Sequence, residues 1–172
     1  DVIDQVGPDV TRFIMLTRKN DASLDFDFAK AVEQTKENPV FYVQYAHARV
    51  MSVLRKAADA GIPADDTLLI AADLSGNTDV AEVALAAKLA EFPRLVEIAA
   101  RTNEPHRVAF YLYDLASEFH ALWNKGNDNP GLRFLQDGDM ATSQAKIALA
   151  RAVSVVIASG LGILGVAPAQ EL

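Results

Sequence analysis

Tyr42, Tyr45 and Arg49 follow one another at steps of three and four residues. On a helix, at about 100° per residue, the three fall within roughly 60° of arc. Two phenol rings beside a guanidinium can stack on flat, electron-rich surfaces and contact an anion at the same place. Those are the groups that bind unpaired nucleic-acid bases. The ordinary alternative is that the tyrosines cover the edge of a core with their hydroxyls in water. Spacing alone leaves both readings open. A second row, Tyr113, Ser117, His120 and Asn124, repeats at four, three and four residues and suits a hydrated face, a buried polar seam or a second wall opposite the tyrosines.

No catalytic constellation accompanies these rows. The three histidines, His47, His106 and His120, stand apart and none has zinc-type spacing. His47 borders an apolar stripe, where a packed and hydrogen-bonded ring is expected. His106 opens a helix after Pro105, where a solvated ring is expected. Gly160 to Gly165 follows no strand and carries no phosphate-loop lysine, so close helix packing accounts for it better. Serine and aspartate show no nucleophile-elbow pattern.

Helices must position these rows. Val43, Ala46, Val50, Val53, Leu54 and Ala57 form an apolar stripe beside the tyrosines, on a helix running from about Pro39 to Ala60. Asn38-Pro39 marks its start and Gly61 its end. Ala109, Leu112, Ala116, Phe119 and Trp123 make the matching stripe of a second long helix, His106 to Lys125. Gly126 to Gly131 reads as a loop, and Ser143 to Leu164 as a third long helix. Shorter helices are expected after Pro8, over Ala29 to Thr35 with Asp25 or Asp27 as cap, over Val80 to Ala90, and over Arg94 to Arg101. Ala64 to Asn77 is ambiguous. Strands are needed nowhere, so the fold class is all-α, an antiparallel helical bundle.

The chain has 172 residues, 51% hydrophobic, and no cysteine, which fits one globular domain in a reducing compartment. Asp1 to Gln5 has no signal-peptide character and reads as the middle of a longer chain. Ala152 to Ala169 is uncharged and approaches the length of a membrane span. Its glycines and serines, with Lys146 and Arg151 just upstream, favour the buried central helix of a bundle. The net charge of −7 argues against a stand-alone nucleic-acid binder, which wants a basic face. It does not exclude a module that stacks a few bases with local arginines.

Several blocks, in order, carry a family resemblance. They are Leu24-Asp25-Phe26-Asp27; the run from Gln34 to Arg55 with Tyr-Val-Gln-Tyr-Ala-His-Ala-Arg at Tyr42 to Arg49; Phe92-Pro93-Arg94-Leu95-Val96; Tyr111-Leu112-Tyr113-Asp114-Leu115-Ala116 with Phe119-His120; and Arg151-Ala152-Val153 through Val166. Together they resemble the arginyl-tRNA synthetases, class I enzymes, from the exit of the catalytic core through the carboxyl-terminal anticodon-binding domain. The resemblance implies the DALR type of bundle, with residues 1–35 a helical connector from the catalytic domain and residues 36–172 the anticodon-binding bundle. It implies arginine tRNA as partner, bound through its anticodon loop, a catalytic domain in the same chain, a monomer, a cytoplasmic location and no membrane.

The parent enzyme would be an arginine–tRNA ligase using ATP with magnesium. The His-Ile-Gly-His and Lys-Met-Ser-Lys-Ser signatures of its ATP site are not in this sequence, so no cofactor and no activity are expected of the segment alone. By the same resemblance the positions against the anticodon are Tyr42, Tyr45 and Arg49, with Asn38, Tyr113 and Leu172 beside them. Leu172 stands where many members of the family end in methionine. The remaining alternatives are the anticodon-binding domain of another synthetase, such as the glycyl enzyme's β subunit, and a helical protein–protein interaction module.

Overall fold

Asn38 starts the helix on which the rest of the molecule is arranged. Its Oδ1 accepts from the amides of Val40 and Phe41, at 3.1 and 3.3 Å, while its Nδ2 donates to the carbonyls of Ala31 and Glu33, at 3.0 and 2.9 Å. One buried side chain thus caps a new helix and ties it to the end of the previous one. Pro39 at the first helical position needs no amide partner. The far end closes on Gly61, whose φ of +69° lets Ile62 N donate to Ala57 O and Gly61 N to Ala58 O.

The computed structural model describes residues 2–19, 26–33, 35 and 37–172, and among these all regular structure is helical. The α-helices are α1 (Val2–Val6), α2 (Pro8–Leu16), α3 (Phe28–Ala31), α4 (Pro39–Asp59), α5 (Asp66–Ile70), α6 (Val80–Ala90), α7 (Phe92–Thr102), α8 (His106–Asp128) and α9 (Met140–Ile163). Single 3₁₀ turns occur at Leu74–Gly76 and Pro130–Leu132. Of the two expected caps on α3, Asp27 serves, accepting from the amides of Ala29 and Lys30. Asp25, Leu24 and Gln34 lie outside the described residues.

Three long helices, α4, α8 and α9, pack on one another and hold the core. Val43, Ala46, Val50, Val53 and Ala57 are the inner face of α4, as their spacing requires. They meet Leu112, Leu115, Ala116, Phe119 and Leu122 from α8, and Ile147, Ala150, Val153, Ile157 and Leu161 from α9. Gly160 leaves room for Leu112 of α8 against α9, since a Cβ there would stand 2.7 Å from Leu112 Cδ2. Phe13 of α2 is fully enclosed in the same core.

The most apolar stretch of α9 is long enough to cross a membrane, and half of it is buried inside the bundle. Lys146, within α9, is buried against Glu82 of α6 as an ion pair. Glu82 also closes a capping box with Asp79 at the start of α6.

Two local expectations are corrected. The helix α8 runs through Gly126 to Asp128, and the loop begins only at Asn129. One glycine near a helix end costs about 1 kcal/mol, which the packed turns on both sides outweigh. His106 is buried rather than solvated, edge-on to Phe110 at 5.9 Å. The cause is the short α7–α8 turn, where Asn103 at φ 55° reverses the chain and the two helices pack from their joined ends. The ambiguous stretch from Ala64 to Asn77 resolves into α5, capped by Asp65, and a 3₁₀ turn capped by Asp73.

Candidate nucleic-acid interface

The outer edge of α4 faces the outer edge of α8, and the two polar rows expected on them meet there. Tyr42 lies against Tyr113, ring centroids 5.0 Å apart, and against His120 at 4.6 Å. Tyr45 lies against His120 at 5.5 Å and stacks on Phe41 at 5.6 Å. Arg49 reaches across the gap. Its Nη1 donates to His120 Nδ1 and its Nη2 to the Tyr45 hydroxyl, both at 3.0 Å. The guanidinium sits 4.3 Å over the Tyr45 ring and 4.8 Å over Trp123.

His120 is the pivot of this cluster. Its Nε2 lies 3.2 Å from the Tyr42 carbonyl, so that nitrogen carries the proton and donates, leaving Nδ1 to accept from Arg49. Burial pushes the imidazole down to about pH 4, and the Arg49 cation pushes the same way, against the Tyr42 carbonyl, which favours the charged form. The ring is therefore neutral near pH 7 and held in one tautomer. Burial likewise raises the Tyr113 phenol above its ordinary value.

Arg49 keeps its remaining N–H donors for other partners, and among the described residues no carboxylate pairs with it. A half-buried cation between aromatic faces, with no carboxylate paired to it among the described residues, suits an anionic or carbonyl-bearing ligand that also stacks. Among the described residues no cluster of three or more His, Asp or Glu side chains is placed to hold a metal ion.

The chain's last residues reach this place because α4 carries a second row of polar groups. Gln44 donates to Ala167 O at 2.6 Å and accepts from Ala169 N. His47 donates from Nδ1 to Ala169 O at 2.6 Å. Arg55 donates to Gln170 O at 3.3 Å and lies 3.7 Å from the Glu171 carboxylate. Leu172, mostly exposed, then shares one shallow cleft with Tyr45, Arg49, Ser52, Arg55, Lys56 and Trp123.

Of the residues expected at the site, Tyr42, Tyr45, Arg49 and Tyr113 form one cluster and Leu172 lines the adjoining cleft. Asn38 does not join them. Its side chain is buried and its hydrogen-bonding groups are taken up by the α3–α4 junction, so it positions α4 and offers nothing to a ligand. Trp123 and Lys56 belong to the face but are absent from the expected set, and His120, expected only as a member of the second polar row, is the pivot of the cluster. Lys56 had a legible signal, since Tyr42, Tyr45, Arg49, Ser52 and Lys56 continue the steps of three and four. Trp123 had none, because its period assigned it to the core stripe.

An all-α bundle with an aromatic and cationic seam between two helices suits a helical nucleic-acid-binding module. Residues 43–172 match the model of the DALR anticodon binding domain. The chain is 73% identical over all 172 residues to an arginine–tRNA ligase of Ruegeria pomeroyi and 66% identical to one of Paracoccus denitrificans. It spans about 30% of the length of each of these curated relatives. The arginyl-tRNA synthetase of Thermus thermophilus superposes with a TM-score of 0.76 at 27% identity, over 98% of this chain and 27% of that one. The chain belongs to the DALR anticodon binding domain family, in the form found in arginyl-tRNA synthetases.

Proposed function

We propose that the seam between α4 and α8 binds the anticodon loop of arginine tRNA, with Tyr42, Tyr45 and Arg49 as the contacting residues. The observation that supports this most is the arrangement of Arg49, fixed by neutral His120 and by Tyr45 yet left without a carboxylate. Loop bases splay onto the exposed parts of the two tyrosine rings, and the free guanidinium donors meet a base edge or a loop phosphate. Tyr113 backs Tyr42, Leu172 closes the cleft on the far side, and Asn38 sets the start of α4.

The wider activity belongs to the longer protein. In this reading residues 1–35 connect a catalytic domain to the bundle of residues 36–172, with Phe13 docked in the bundle core and Arg12 bonded to the Gly165 carbonyl. The whole enzyme joins arginine to its tRNA as a monomer in the cytoplasm, and ATP with magnesium is used in the catalytic domain.

Tyr45→Ala should weaken binding of an arginine anticodon stem-loop by about 1–3 kcal/mol, the usual worth of one stacked base. Fluorescence anisotropy at low salt, with an anticodon-altered stem-loop as control, reads this directly. Equal affinity of wild type and variant for both RNAs would place the binding face elsewhere.

A further inference from the structure

Beside the seam lies a second cleft, a cavity of about 230 Å³ between the end of α4, the end of α8 and the loop after it. It adjoins the first, and Trp123 and Lys56 line both. Its floor is apolar, with Val53, Leu132 and Phe134. Its rim carries Lys56 and Arg133, two cations on a chain whose net charge is −7. Arg133 is tethered through Nε to the Gly126 carbonyl at 3.1 Å, and its Nη nitrogens make no hydrogen bond among the described residues.

The loop that forms the outer wall is held in place before any ligand arrives. Gln136 donates to the carbonyls of Pro130 and Arg133, at 2.9 and 2.7 Å, and its own amide is bonded to Ser143 Oγ. Gly126 sits in the wall of the cleft, inside α8. A Cβ there would meet Leu132 O at 3.5 Å and Arg133 Cα at 3.6 Å, ordinary contacts, so packing does not demand glycine. A glycine within a helix is otherwise a cost, and its remaining use is to leave a surface open to close approach.

We propose that this second cleft takes one further unpaired nucleotide of the same RNA loop, its base stacked beside Trp123 on the apolar floor and its phosphate between Lys56 and Arg133. The inference rests on the anticodon reading of the seam and extends it by one base. An apolar floor with a cationic rim fits a flat ring attached to an anion, and an apolar peptide would leave both cations without partners.

Abasic and neutral methylphosphonate substitutions walked through the loop of the arginine anticodon stem-loop test it, with Kd measured for wild type, Arg133→Glu, Gly126→Ala and Tyr45→Ala. Arg133 is exposed and lines only the second cleft, so its replacement leaves the seam intact. For the intact loop, Arg133→Glu should raise Kd roughly ten-fold. At one loop position, distinct from those sensitive to Tyr45→Ala, the methylphosphonate RNA should lose most of the Arg133→Glu penalty, because the phosphate assigned to Arg133 is no longer charged. Gly126→Ala, which narrows the cleft without a clash, should weaken binding of the intact loop but not of the RNA that is abasic at that same position. An equal penalty for Arg133→Glu at every methylphosphonate position would reduce Arg133 to general charge attraction and overturn the proposal. So would unchanged affinity of both cleft variants while Tyr45→Ala still weakens binding. If Tyr45→Ala is also without effect, the reading of the seam itself has failed.

Discussion

Glu82 and Lys146 lie between α6 and α9 as a balanced pair of charges, shut away from water. Arg49 lies between α4 and α8 at comparable reach, but its partners are a neutral imidazole, a phenol and two aromatic faces. The first arrangement is complete in itself. Each ion answers the other, and Glu82 spends its second oxygen on the Asp79 amide. The second is held rigidly but not neutralised. A buried pair of opposite charges fixes which helices meet; a fixed cation without a counter-charge is poised for something that comes from outside.

That contrast can be broken at its closed end with the largest effect. Lys146→Met strands the Glu82 carboxylate in the core and should cost about 3–5 kcal/mol in urea unfolding. The double variant Glu82→Leu with Lys146→Met should recover most of it, and binding of RNA by the folded fraction should stay unchanged. A change in RNA affinity on replacing this pair would undo the division between the two clusters.

At the open end, pH is the finer tool. The folded His120 titrates at about 4 against 6.5 for an ordinary histidine. Between these values the unfolded chain takes up the proton and the folded one resists it. Stability from this ring is therefore complete above about pH 6.5 and is lost as pH falls from there through about 4, by roughly 3 kcal/mol in total. His47 is also depressed by burial, so the difference between wild type and His120→Gln across pH 4 to 7 isolates the pivot. Parallel stability curves for the two proteins would mean that His120 is not held neutral between Arg49 and the Tyr42 carbonyl.

Asn38 gives the smallest of these effects and sharpens the boundary. Asn38→Ala removes a cap worth roughly 1 kcal/mol, and thermal unfolding should shift accordingly. If Asn38 only positions α4, the variant's affinity for the stem-loop should fall less than that of Tyr45→Ala. An equal or larger fall would return Asn38 to the contacting set.

How far the sequence carried these conclusions differs between the helices and the face. The extent of α4 was legible because Asn38-Pro39 and Gly61 are local signals with local causes. The arc of Tyr42, Tyr45 and Arg49 follows from helical period alone. The role of His120 was not legible, since it depends on the Tyr42 carbonyl of another helix 78 residues away. Trp123 fell in the apolar stripe by period, yet it is only half-buried and lies under the Arg49 guanidinium. His106 and Gly126 misled for a related reason: their neighbours in space, set by the α7–α8 turn and by the loop after α8, outweigh their neighbours in sequence.

Arg49→Met bears most directly on the open cation. It keeps much of the side-chain length and apolar contact with Tyr45 and Trp123 while removing the charge and the donors to His120. The quantity to measure is the ratio of affinities for the arginine anticodon stem-loop and an anticodon-altered one, for wild type and variant at the same low salt. A ratio well above one in the wild type that collapses toward one in Arg49→Met is the predicted result. A ratio that survives the substitution would contradict the assignment of this seam as the reader of the anticodon.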